Sequence, residues 1–169
     1  MTKIKFTQND FNETRKLAES IKKIDHIDAD YVNIISDEIF KFQPFLLSVL
    51  LGYKMDVSKY ELEELMKIYF LIWEYFRLNS NVRTKQLKES YYNKILKKNF
   101  EMLNYSKDEP KGNQVEIYSS DLQNLKAKSL FTAILYRFNE RDILLKMSVE
   151  IKGAVILGIK SFIECFETI

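Results

Sequence analysis

Leu65-Met66-Lys67-Ile68-Tyr69-Phe70-Leu71-Ile72-Trp73-Glu74-Tyr75-Phe76 is the stretch on which the fold turns. Wound at 3.6 residues per turn, it places apolar side chains on every side, with only Lys67 and Glu74 interrupting. A helix without a continuous polar face has to be enclosed by neighbours. Its start is marked by Ser58-x-x-Glu61, in which a hydroxyl and a carboxylate can each satisfy an orphan backbone N–H of the other's residue. Glu61, Glu63 and Glu64 also suit the positive end of the helix. The spacing therefore predicts a central helix from Lys59 to Leu78.

Working outward from it, Pro44 cannot sit deep inside a helix but suits a first turn. Residues 31–51 are thus expected as two helical pieces with a bend between them, ended by Gly52. Further upstream, Thr7 or Asn9 can cap an outer first helix over about residues 9–23, with Phe11, Leu17, Ile21 and Ile24 as its apolar stripe.

Downstream, a fourth helix is expected from Val82 to Leu103, with Leu87, Tyr91, Ile95, Phe100 and Leu103 inward. Glu109-Pro110-Lys111-Gly112-Asn113 predicts a long loop over residues 105–119. Ser120-x-x-Gln123 is expected to open a fifth helix reaching Phe138. Asn139-x-x-Asp142 is expected to cap a long C-terminal helix carrying Ile143, Met147, Ile151, Val155, Gly158 and Phe162 on one stripe. The expectation is an all-α, antiparallel up-and-down bundle of about six helices, forming a single domain over residues 1–169.

Composition agrees with this picture. Hydrophobic residues make up 46% of 169, enough for one sizeable core. With four glycines and two prolines, the chain has little punctuation. Cys165 is the only cysteine, so no internal disulfide can form, which fits a reducing compartment. The first ten residues lack the apolar stretch of a signal peptide, and no apolar run approaches the roughly 20 residues of a membrane span. A soluble, cytoplasmic protein is expected, with no membrane association.

Several chemistries lack their residues. His26 is the only histidine, which leaves no paired Glu-x-x-His motif for a bundle di-iron site. One Cys and one His do not make a usual structural zinc site. The four glycines form no phosphate-cradling loop. No metal and no cofactor are therefore expected, and no catalytic set is assigned.

Two features remain. Between Arg83 and Lys98 six basic residues face one acid, whereas between Asp37 and Glu64 six acids face three lysines. The basic stretch, with Arg83, Lys88, Tyr91, Tyr92 and Lys94, is the candidate partner-binding face. Glu74, interrupting an apolar run, marks a candidate cleft with Tyr69 and Trp73, since a carboxylate in a dry setting must be paired or neutralised. Three functions follow. The first is a non-catalytic helical protein-interaction or regulatory module, of inhibitor type or self-associating, that docks through the basic face. The alternatives are a nucleic-acid-binding bundle using the same face and an enzyme or small-molecule binder with a cleft near Glu74.

Overall fold

The computed structural model describes residues 5–169, and among them all regular structure is helical. No helix among the described residues is long and apolar enough to cross a membrane.

Helix α1 spans Gln8–Asp25, capped by the Thr7 hydroxyl, with the Asp10 carboxylate returning a bond to the Thr7 N–H. Its inward row is Asp10, Leu17, Ile21 and Ile24. Phe11, expected on that row, lies about 120° round from Leu17 and is 63% exposed. Asp28 caps α2 (Ala29–Phe42), and α3 (Pro44–Gly52) restarts with Pro44 in its first turn. A single 3₁₀ turn, Tyr53–Met55, leads to α4 (Lys59–Phe76), where both bonds of the Ser58–Glu61 capping box form. Every residue from Ile68 to Trp73 is buried, so α4 is the central helix that its all-round apolarity requires.

The chain after α4 departs from expectation at three breaks. The helix expected over 82–103 is instead α5 (Ser80–Thr84) and α6 (Glu89–Lys107). Gln43 is the reason. Its buried amide donates to the carbonyls of Val82 and Lys85 and accepts from the Leu87 N–H, satisfying backbone groups that would otherwise need helical partners. The loop expected over 105–119 does not exist. Helix α6 runs on to Lys107, and α7 (Lys111–Asn124) occupies most of that segment. Ser120 lies inside α7 and caps nothing.

The second break comes at residues 125–127, before α8 (Lys128–Glu140), where the Ala127 N–H is taken by Glu167 at 2.5 Å. The third separates a short α9 (Asp142–Leu145) from α10 (Val149–Thr168), capped by Ser148. Asn139, the expected cap, bonds back to the Leu135 carbonyl instead. About six expected helices thus become ten segments among the described residues.

Paired side chains give the directions. Helix α6 runs antiparallel to α10, since Tyr91 meets Thr168 while Asn99 meets Ser161. Helix α4 runs with α10, since Tyr69 packs on Phe162 and Phe76 on Phe166. Helix α1 runs with α8, since Asp10 pairs with Lys128 and Asp25 with Arg137 and Arg141. Phe162 is the hub, touching Phe45 of α3, Tyr69 of α4 and Tyr92 of α6.

Gly158 lets α6 and the 3₁₀ turn close onto α10. A Cβ there would lie 2.9 Å from the Tyr53 hydroxyl and 3.0 Å from that of Tyr92. Gly158→Ala is therefore expected to destabilise by about 1–3 kcal/mol through overpacking. Urea unfolding checks this, and an unchanged midpoint would show that both rings yield freely.

Candidate functional site

The three cleft residues part company in the structure. Tyr69 and Trp73 are wholly buried, Trp73 stacking on Phe42 with its indole N–H unpartnered. Burial pushes the Tyr69 hydroxyl well above the ordinary tyrosine range. Only Glu74 borders open space, a groove of about 700 Å³ between α1 and the end of α4.

The Glu74 carboxylate is already engaged. It accepts from the Tyr31 hydroxyl, from Lys23 Nζ at 3.3 Å and from Arg77 Nη1 at 3.1 Å. Arg77 also reaches Glu38 at 2.6 Å, and Glu38 in turn holds Arg83 at 3.0 Å. Alternating charges thus tie α1, α2, α4 and α5 together. Burial, and then the hydrogen-bonded Glu74, push the Tyr31 hydroxyl above its ordinary range. Three donors thus fix the Glu74 carboxylate in place.

The five partner-face residues also divide. Lys88 and Lys94 stand in solvent. Tyr91 is half-buried with its hydroxyl against Thr168, and Tyr92 is buried between Phe45 and Phe162 with its hydroxyl on the Gly158 carbonyl. Arg83 belongs to α5, where it serves Glu38 and covers the Phe42 ring.

The outward arc of α6 carries Lys94, Lys97, Lys98 and Tyr105. Phe100, expected inward, edges this arc at 38% exposed. Asn99 takes the inward place instead, because it seats a buried cation.

That cation is Lys160, which spacing alone did not single out. Its ammonium, almost entirely buried, meets Asn99 Oδ1 at 2.7 Å, Asp121 at 3.0 Å and Glu164 at 2.5 Å. All three of its donors are used. Arg137 is the second buried cation, bonded to Asp25 at 2.6 Å and Glu64 at 3.1 Å. It sits at one end of a groove of about 720 Å³ between α1 and α8. The only sequence signal for either cation is a charge falling on an apolar helical stripe.

The remaining candidate groups are placed as follows. His26 is exposed at the end of α1, its Nδ1 2.9 Å from the Lys22 carbonyl. Cys165 is buried, and burial, with Glu164 second, pushes its thiol up to about 12. No group of three or more metal-ligating side chains occurs among the described residues.

Glu167, holding the break before α8, has its carboxyl raised above the ordinary range by burial, against the N–H bonds from Ala127 and Lys126. Its folded pKa lies above the unfolded one, so protonation favours folding. That stabilisation is complete below the unfolded value of about 4.3 and is lost as pH rises through the folded value. Glu167→Gln keeps an acceptor for Ala127 without the charge. It is expected to match the wild type near pH 4 and exceed it near pH 7. Denaturation at both pH values tests the sign, and a variant weaker at both would refute it.

Comparison of the chain with protein-family models, with curated proteins and with solved structures gives no match.

Proposed function

We propose that this protein is a helical interaction module that docks an acidic protein partner on the outward arc of α6. A clustering of unpaired charge carries the reading. Lys23, Lys67, Arg77, Arg83, Arg137, Arg141 and Lys160 each have a carboxylate partner within the chain. Lys88, Lys94 and Lys98 have no ion pair among the described residues, as other surface lysines such as Lys16, Lys41, Lys54 and Lys146 have none. Lys97 reaches Glu101 only at 3.9 Å, but on α6 these lysines stand together on one helix.

Phe100 and Tyr105 lie exposed beside these lysines, and Tyr105 is 66% open to solvent. Unmatched positive charge steers an acidic surface inward, while an aromatic side chain supplies apolar area at small entropic cost. Lysine heads in water need no partner to be stable. What favours docking is their concentration on one helix beside uncovered aromatic rings.

Reversing two charges tests this. Lys94→Glu/Lys98→Glu lies wholly on the exposed arc, so the fold is expected to survive. Capture of a specific partner from the native host is expected to fall at least tenfold at low salt. Capture that is undiminished removes the proposal. A short DNA or RNA that binds at low salt and releases steeply as salt rises would instead place nucleic acid on this face.

A further inference from the structure

The groove between α1 and α8 exists because small side chains face each other there. Ala18 on α1 and Ala133 on α8 leave space above Leu71, and the resulting volume of about 720 Å³ is that of a small-molecule site. On α8, Ser129, Ala133 and Arg137 follow one another at four-residue steps along a single ridge, and Arg141 follows just past the helix end. The middle of the groove is apolar and one end is ionic.

Donors and acceptors at that ionic end do not balance. Asp25 has both oxygens occupied, one by Arg137 and one by Arg141. Glu64 likewise has one oxygen on Arg137 and the other on Lys67 at 2.8 Å. Each of these four oxygens therefore already has a cationic partner. The guanidiniums are not fully matched: Arg137 Nε is buried without a partner, and Arg141, 42% exposed, pairs through Nη2 alone. Glu140, exposed, also lines this end and lies close enough to the Tyr136 hydroxyl to raise its pKa. The buried group left unpartnered at this end is an N–H donor, and planar guanidinium donors match a carboxylate. At the far end the Ser129 hydroxyl is buried and unpartnered as well.

We infer that the α1–α8 groove binds a small amphipathic carboxylate, its apolar body between Ala18 and Ala133 and its acid group on Arg141 and Arg137. A cationic head would meet two guanidiniums and find Asp25 and Glu64 already ion-paired, and a neutral head leaves the unpartnered Arg137 Nε without an ionic match. The groove is built by α1 and α8, not α6, so this inference and the docking reading stand or fall separately.

Titration calorimetry on the full chain tests it, with decanoate as probe and 1-decanol as its neutral counterpart. Decanoate is expected to bind saturably at one site, at least tenfold tighter than decanol. Arg141→Ala is expected to weaken decanoate about tenfold and leave decanol unchanged. Ala133→Phe, which fills the groove, is expected to abolish both. Should circular dichroism show that variant unfolded, Ala18→Phe closes the same space from the exposed helix α1. No saturable decanoate binding, equal affinity for decanol, or undiminished binding by a folded, groove-filled variant would overturn the inference.

Discussion

Arg137→Met is expected to cost about 3–5 kcal/mol, because it leaves two inward carboxylates without their shared cation. The guanidinium is 6% exposed and joins three helices at one point, from α8 to Asp25 on α1 and Glu64 on α4. Methionine has similar bulk, so the loss reports charge rather than a cavity. The pair is best judged by removing both sides. Arg137→Met/Glu64→Met is expected to recover much of the stability, since apolar replacements of buried ion pairs are often neutral or better. Urea denaturation of the two single variants and the double variant gives the coupling. A single-variant loss below about 1 kcal/mol would mean that water already solvates the acids.

Gln43→Ala is expected to cost about 3 kcal/mol through a different mechanism. One amide side chain, 1% exposed, serves two carbonyls and one N–H in the link between α5 and α6. Each buried backbone group left unpaired costs roughly 1–3 kcal/mol, with partial relief where water enters. Gln43→Glu is the sharper control. A carboxylate would face the carbonyls of Val82 and Lys85 with no donor, so this near-isosteric change is expected to be at least as damaging. Chemical denaturation of both variants tests the assignment. A harmless Gln43→Glu would show that the link is held by something other than this amide.

Gln43 also shows where reading the sequence had to stop. Helix α4 was legible because its determinants are local: the Ser58–Glu61 box and an unbroken apolar run. The Pro44 restart was legible for the same reason. The breaks at residues 85–88 and 125–127 were not, because Gln43 and Glu167, about 40 positions away, satisfy the freed backbone there. The first nine residues of α7 read as a loop because Pro110, Gly112 and Asn113 punctuate the chain there. It buries no residue fully and leans on α6 through the Tyr118–Ser106 hydroxyl pair and on α10 through Asp121–Lys160. Tertiary contact overrides weak propensity there.

For the candidate sites, the exposure of Lys88 and Lys94 followed from charge patterning. The inward turn of Tyr92, and of Arg83 onto Glu38, depended on neighbours that no local rule supplies. Lys160 and Arg137 were illegible on the same ground. A charged side chain on an apolar stripe is normally wet unless distant acids meet it, and Arg137 finds Asp25 112 positions away.

That separation bears on how the chain is made. Helix α1 is made before both helices it packs against, α4 and α8, and the second of these is completed only when Glu140 has been added. At ordinary synthesis rates the delay is on the order of ten seconds. Over that interval the 18-residue amphipathic segment has at most α4 to lie against, and alone a helix of this length is only marginally stable in water. The nascent chain must carry the α8-facing side of α1 uncovered until Glu140 has been made.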